Sequence, residues 1–256
     1  MRTLLRAISV LLILCLLSVG ISFFAPGRIG WIDRFSIGME KLVVAIMEGR
    51  GSRERFTEGA LPFSGLQPLL DSLEPGSLFF SKHGRTVSSR FIRGRWKHCG
   101  IYLGTREQVR EHWGAEHPLL QALLPYYASG DEYLIFDSSY EGGVAIHPIG
   151  DMAGLSGIST LRGLLCFANG TDPDDWARQI LAGMEHLGKD YDYLFDLESA
   201  ERLYCSEFLY ALLPEVQSAL LPTQKILGRD FLTPTDLVRH LREDRRYPLM
   251  LMLPSE

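Results

Sequence analysis

The chain has 256 residues and a mass of 28.8 kDa, is 46% apolar and 22% charged, and carries a formal net charge of −5. That length suits one ordinary domain with attachments, or two small ones, and supports a core that needs no disulfide or metal staple. The composition excludes a wholly disordered chain, a collagen and a multi-span membrane protein, and no long Lys/Arg run invites nucleic acid.

Residues 1–25 are a different material from the rest. Ala7 to Ala25 holds 19 residues without a charge, which as a helix matches the hydrocarbon thickness of a bilayer. Arg2 and Arg6 precede it, as in a signal peptide or an anchor. Ser18 and Gly20 are small residues at cleavage-site spacing, but the apolar run continues through Phe24, which favours retention. A lipidated Cys15 is disfavoured because Leu14 stands where a small residue is wanted. The expectation is an uncleaved single-pass transmembrane helix with the remaining chain extracytoplasmic. Residues 26–70 read as a membrane-proximal helix and linker: Leu42 to Met47 is apolar but too short to span, and Gly49 to Gly59 is charged and Gly-rich.

The main domain is expected over 71–245, with 246–256 as a tail. Strands are predicted at Ser77–Phe80, Cys99–Gly104, Glu132–Ser138, Gly143–Ile149 and Leu164–Ala168, the third and fourth forming a hairpin. Asn169-Gly170 reads as a turn rather than a glycosylation site. Helices follow from Asp172-Pro173 to His186, from about Cys205 to a stop at Pro214, and after the capping-box start Thr233 to Asp236. Strands and helices segregate, so the fold class is α+β with an antiparallel sheet packed against helices.

Walker, dinucleotide-binding, HExxH and GxSxG signatures are missing, and His112 and His117 are poorly spaced for a shared metal. Neither a cofactor nor a metal is expected. A cysteine, a histidine and an acid in three elements remain. Cys205 opens a helix, where free N–H groups favour a thiolate and can hold an oxyanion; a buried core cysteine is the alternative. Period-two alternation places His98, Gly100 and Tyr102 on one strand face and Cys99, Ile101 and Leu103 on the core face. His98 would then look out over a space that Gly100 keeps open, unless it is merely structural. Asp137 ends an apolar strand and suits either orientation of His98 or a turn. Cys99 and Cys166 read as buried small hydrophobes, with a disulfide between them left open.

The segments Leu73–Phe80, Lys97–Gly104 (KHCGIYLG), Phe136-Asp137, Gly188–Asp192 (GKDYD) and Tyr204–Leu209 (YCSEFL) resemble a known series. Together they are similar to the YiiX/YebB-like, circularly permuted branch of the NlpC superfamily of papain-like cysteine hydrolases. The resemblance runs from about residue 73 to 240 and includes Thr233 to Leu237. It implies Cys205 as nucleophile, His98 as general base and Asp137 as the orienting residue, acting on an amide or ester through a thioester. Ser77 stands where many members have Asp. The third residue is often Glu in the family, which makes Glu132 and Glu141 rivals of Asp137. Tyr102, Tyr191 and Tyr204 are candidates for lining the cleft or serving the oxyanion, with core packing as the alternative for each. The implied substrates are cell-wall peptides for an amidase or peptidase, or acyl lipids for an enzyme of the lecithin–retinol-acyltransferase type. A catalytically inactive binding module is the third reading, and the presence of all three catalytic residue types argues against it. Arg90, Arg93, Arg95 and Lys97 would favour an acidic headgroup or peptide carboxylate, or form a solvated loop.

Overall fold

The computed structural model describes residues 63–83, 94–140, 142–152, 161–192, 195, 197, 201–218, 224–226 and 229–253. The expected anchor, the membrane-proximal helix and its linker lie outside these residues, apart from the last part of 26–70. Among the described residues no helix is long and apolar enough to cross a membrane.

Helix α1 (Phe63–Leu70) precedes strand β1 (Ser77–His83). The turn into β1 is closed by Ser77, whose Oγ donates to the Glu74 carbonyl at 2.7 Å. Strand β2 (His98–Gly104) follows, then helices α2 (Arg106–Trp113) and α3 (Pro118–Leu123). The hairpin β3 (Leu134–Ser139) and β4 (Gly143–Pro148) forms as predicted, and leads through the short helix α4 (Ile149–Met152) to β5 (Leu161–Phe167). Helices α5 (Pro173–Gly183), α6 (Cys205–Leu212) and α7 (Pro214–Ser218) come next. A small ribbon, β6 (Gln224–Ile226) and β7 (Arg229–Phe231), precedes α8 (Pro234–Glu243) and strand β8 (Leu249–Leu253).

Six strands form one antiparallel sheet in the order β4-β3-β2-β1-β5-β8. Its faces follow the pleat. Leu78, Phe80, Cys99, Ile101 and Phe136 enter one core, where Trp176, Phe208 and Leu237 from α5, α6 and α8 cover them. Phe79, Tyr102, Ile135 and Cys166 enter a second core with Leu66 and Leu70 of α1. Burying this much apolar surface on both faces is the main stabilising term.

Several boundaries differ from the sequence expectation. Helix α1, placed in the linker region, packs beneath the sheet and belongs to the domain. The segment read as a tail contributes β8, which pairs with β5 along an edge. The face carrying Tyr102 is covered rather than open. Cys99 and Cys166 are free thiols in different cores, pointing to opposite sides of the sheet, so the disulfide left open is not formed. The caps do match. Asp172 Oδ1 accepts from the N–H groups of Asp174 and Asp175, and Thr233 and Asp236 exchange hydrogen bonds at the start of α8.

Candidate active site

Helix α6 opens at Cys205 because Tyr204 before it is extended (φ −90°, ψ 168°) and the Glu207 carboxylate folds back to accept from the Tyr204 N–H at 3.3 Å. Behind it, Phe208 meets Phe136 edge to face at 4.6 Å and seats the helix on β2 and β3. Ser138 Oγ donates to the Leu203 carbonyl, which ties β3 to the residues just ahead of the cysteine. Cys205 is thus held at the start of a helix, 1% exposed, close enough to His98 and Cys99 of β2 for both to act on its thiol.

The sheet register builds the rest. Gly100 of β2 and Ala145 of β4 stand directly opposite Asp137 of β3 on either side. Both are small, and the space they leave lets Asp137 reach its diagonal neighbours. A Cβ on Gly100 would lie 2.7 Å from the Asp137 Cβ and 2.8 Å from the Phe79 ring. His98, two residues before Gly100, donates from Nε2 to Asp137 Oδ2 at 2.7 Å. His147, two residues beyond Ala145, places its Nε2 3.1 Å from Oδ1. Asp137 is fully buried, yet each of its oxygens has a nitrogen partner.

With Nε2 committed to Asp137, Nδ1 of His98 is the ring nitrogen left for the thiol. Burial by itself would lower the His98 pKa. The charge and hydrogen bond of Asp137, with the contribution of Cys205, overcome that and raise it to about 10. Cys205 moves the other way, well below the ordinary thiol value. The neighbouring Cys99 thiol is the first cause and the nearby His98 follows, against the opposing effect of burial. Cys99 is pushed up by burial and by its partner, and remains a donor. Burial acts to raise Asp137 too, but the charge of His98 and the hydrogen bond of His147 hold it far below the carboxylate range. The two shifts run in opposite directions, and both favour the charged form of each group, with the Asp137 carboxylate behind His98.

The other sequence candidates fall elsewhere. Tyr102 stands apart, in the second core, where its hydroxyl is engaged with the Leu70 carbonyl and Gln108 Oε1, both at 2.9 Å. The Tyr204 hydroxyl accepts from the Leu232 N–H at 3.2 Å, and its ring packs against Phe195 and Phe231. Tyr191, buried, is near enough to Cys205 for the thiolate charge to add to the burial that raises its pKa. Glu132 closes its own loop by accepting from the Ser129 and Gly130 N–H groups, and Glu141 lies outside the described residues. Of the basic cluster, Arg90 and Arg93 also lie outside. Arg95 stacks over Trp96, and burial lowers the Lys97 pKa. Among the described residues no group of three His, Cys, Asp or Glu side chains is disposed to hold a metal. His147 carries no sequence signal of its own; the β3–β4 register, which sets Ala145 opposite Asp137, puts it on the Asp137 face.

A cysteine at a helix start, facing a strand histidine with an acid behind it, in the chain order His, Asp, Cys, defines a permuted papain-like cysteine hydrolase. The chain belongs to the permuted papain-like amidase family YaeF/YiiX, C92, whose family model matches residues 72–246. No curated protein matches it. Among solved structures, it resembles the metalloprotein yiiX from Escherichia coli O157:H7 at 17% identity and a TM-score of 0.39. That likeness covers 67% of this chain and 82% of the other.

Proposed function

We propose that this enzyme hydrolyses amide bonds of cell-wall peptides through a Cys205–His98–Asp137 triad and a thioester intermediate. The observation that carries the reading is His98, hydrogen-bonded to the Asp137 carboxylate at 2.7 Å and near enough to Cys205 for each to shift the other's pKa. The thiolate attacks the carbonyl carbon of the scissile amide, and its oxygen takes the electron pair. The Cys205 N–H, in the first turn where a helix offers no internal acceptor, donates to that oxyanion. The oxyanion collapses, the C–N bond breaks, and imidazolium His98 gives its proton to the departing amine. Neutral His98 then takes a proton from water, the hydroxide adds to the thioester, and the thiolate leaves. Asp137 stays ionised throughout, orients His98 and favours its cationic form.

The 19 uncharged residues from Ala7 to Ala25 support a membrane tether with the catalytic domain on the extracytoplasmic side, within reach of wall peptides. The same tether would suit an acyl-lipid substrate, so the test offers both. The full chain is alkylated with iodoacetamide across pH, and the modified cysteine is identified by mass spectrometry. Cys205 is expected to react fastest at pH 6, with His98→Ala abolishing the excess rate. Turnover of stem-peptide amides, lost in Cys205→Ala, then supports the amidase. Turnover of acyl esters alone transfers the same residues to lipid chemistry, and a Cys205 no faster than Cys166 overturns the triad.

A further inference from the structure

Asp137 has two histidine neighbours, and the reaction above uses one. His147 presents Nε2 to Asp137 Oδ1 at 3.1 Å and Nδ1 to the Pro148 carbonyl at 3.2 Å. A carboxylate and a carbonyl only accept. A neutral imidazole has a single N–H, so in that form one of its nitrogens would point a lone pair at an oxygen. The imidazolium satisfies both contacts. The side chain is 21% exposed, open enough for its charge to be partly hydrated and close enough to act on the buried carboxylate.

We propose that His147 is a positioning residue held as the imidazolium: it pins Asp137 in the orientation that serves His98 and sets the pH window in which the Cys205–His98 pair is competent. This rests on the triad reading given above. Among the described residues, the ionisable groups that bear on His147 are Asp137 of β3 and His98 of β2. Burial and the His98 charge oppose its protonation; Asp137 and the Pro148 carbonyl more than offset them, and its pKa is raised. With Oδ1 held, the carboxylate cannot rotate away from His98. With a positive charge on its far side, Asp137 acts less strongly on both His98 and the thiolate.

Removing that charge lets the carboxylate act undiminished, which favours the proton on His98 and on Cys205 alike. In His147→Gln an amide N–H still reaches Oδ1 but carries no charge. Both limbs of the pH profile for Cys205 alkylation are expected to move upward by about one unit, the order produced by a single charge at this range. In His147→Leu the donor is lost as well, and the rate at pH 6 is expected to fall roughly tenfold or more as Asp137 loosens, with glutamine restoring most of it. A direct reading needs no variant: long-range proton–nitrogen correlation on the histidine-labelled full chain should find both His147 nitrogens protonated at pH 7. A neutral tautomer there overturns the proposal, as does a His147→Gln profile superimposed on the wild type. If wild-type Cys205 shows no excess reactivity at pH 6, the triad itself fails and the role of His147 falls with it. An activated wild-type cysteine with an indifferent His147 defeats this inference alone.

Discussion

Asp137 takes a carboxylate wholly out of water, which is tolerable only because both oxygens are paired to nitrogen donors. Replacing it with asparagine preserves shape but mismatches the pairing, since an amide NH2 would face a histidine N–H. Asp137→Asn should lower the His98 pKa from about 10, because the carboxylate charge is what overcomes the burial penalty. The alkaline limb of Cys205 alkylation should then move down by more than one unit, roughly, and amide turnover should fall by about 10²–10⁴. An unchanged alkaline limb would mean that Asp137 does not act on His98. Cys99 also bears on Cys205, because its neighbouring thiol is the main influence holding Cys205 below the ordinary thiol value. Cys99→Ala should therefore raise the acid limb of the same profile. At this scale the helix start at Cys205 and the strand start at His98 could be read in the sequence, since both are local features, but their pairing was implied only by the family resemblance. His147 could not be weighed, because its importance depends on reaching Asp137 from the next strand.

Three strands hold the polar diagonal, and its geometry depends on small residues beside Asp137. Gly100→Ala would set a Cβ 2.7 Å from both the Asp137 Cβ and the Phe136 carbonyl oxygen. We expect a loss of about 1–3 kcal/mol in urea denaturation, together with slower Cys205 alkylation at pH 6 as Asp137 is displaced. Thr233→Ala offers a contrast: removing the cap of α8 should cost about 1 kcal/mol while leaving the alkylation rate unchanged. The caps at Asp172 and Thr233 are visible in the sequence because capping is decided within four residues. Helices α2 and α3 are not. Val109 is the one buried residue of α2, so it has no apolar stripe, and the Thr105/Gln108 capping box was its best signal. Helix α3 is only six residues long and is started by Pro118 with His117 as its cap.

For the whole molecule, the ion pair leaves a mark on stability against pH. A Cys205 pKa depressed below the ordinary 9 contributes stability that is present above 9 and lost as pH falls through the folded value. A His98 pKa raised from 6.5 to about 10 contributes stability that is full below 6.5 and lost as pH rises through 10. The two slopes oppose each other between about 6.5 and 9; Cys205→Ala removes the first and leaves the second over a narrower range, because Asp137 still raises the His98 pKa but Cys205 no longer adds to it. The advantage of the wild type over Cys205→Ala in melting temperature should therefore widen as pH rises through that window. A constant difference would mean a protonated resting thiol. The sequence by itself determined the α+β class, the hairpin, the capped helices and the residue types of the chemistry, because alternation, capping and turn formation are settled over a few neighbouring residues. Tertiary structure decided that α1 and β8 belong to the domain and that Tyr102 is buried beneath the sheet. It also decided that Asp137 stands between two histidines. Strand register and the covering of a face are set by partners many residues away, and a local pattern carries no record of which partner arrives.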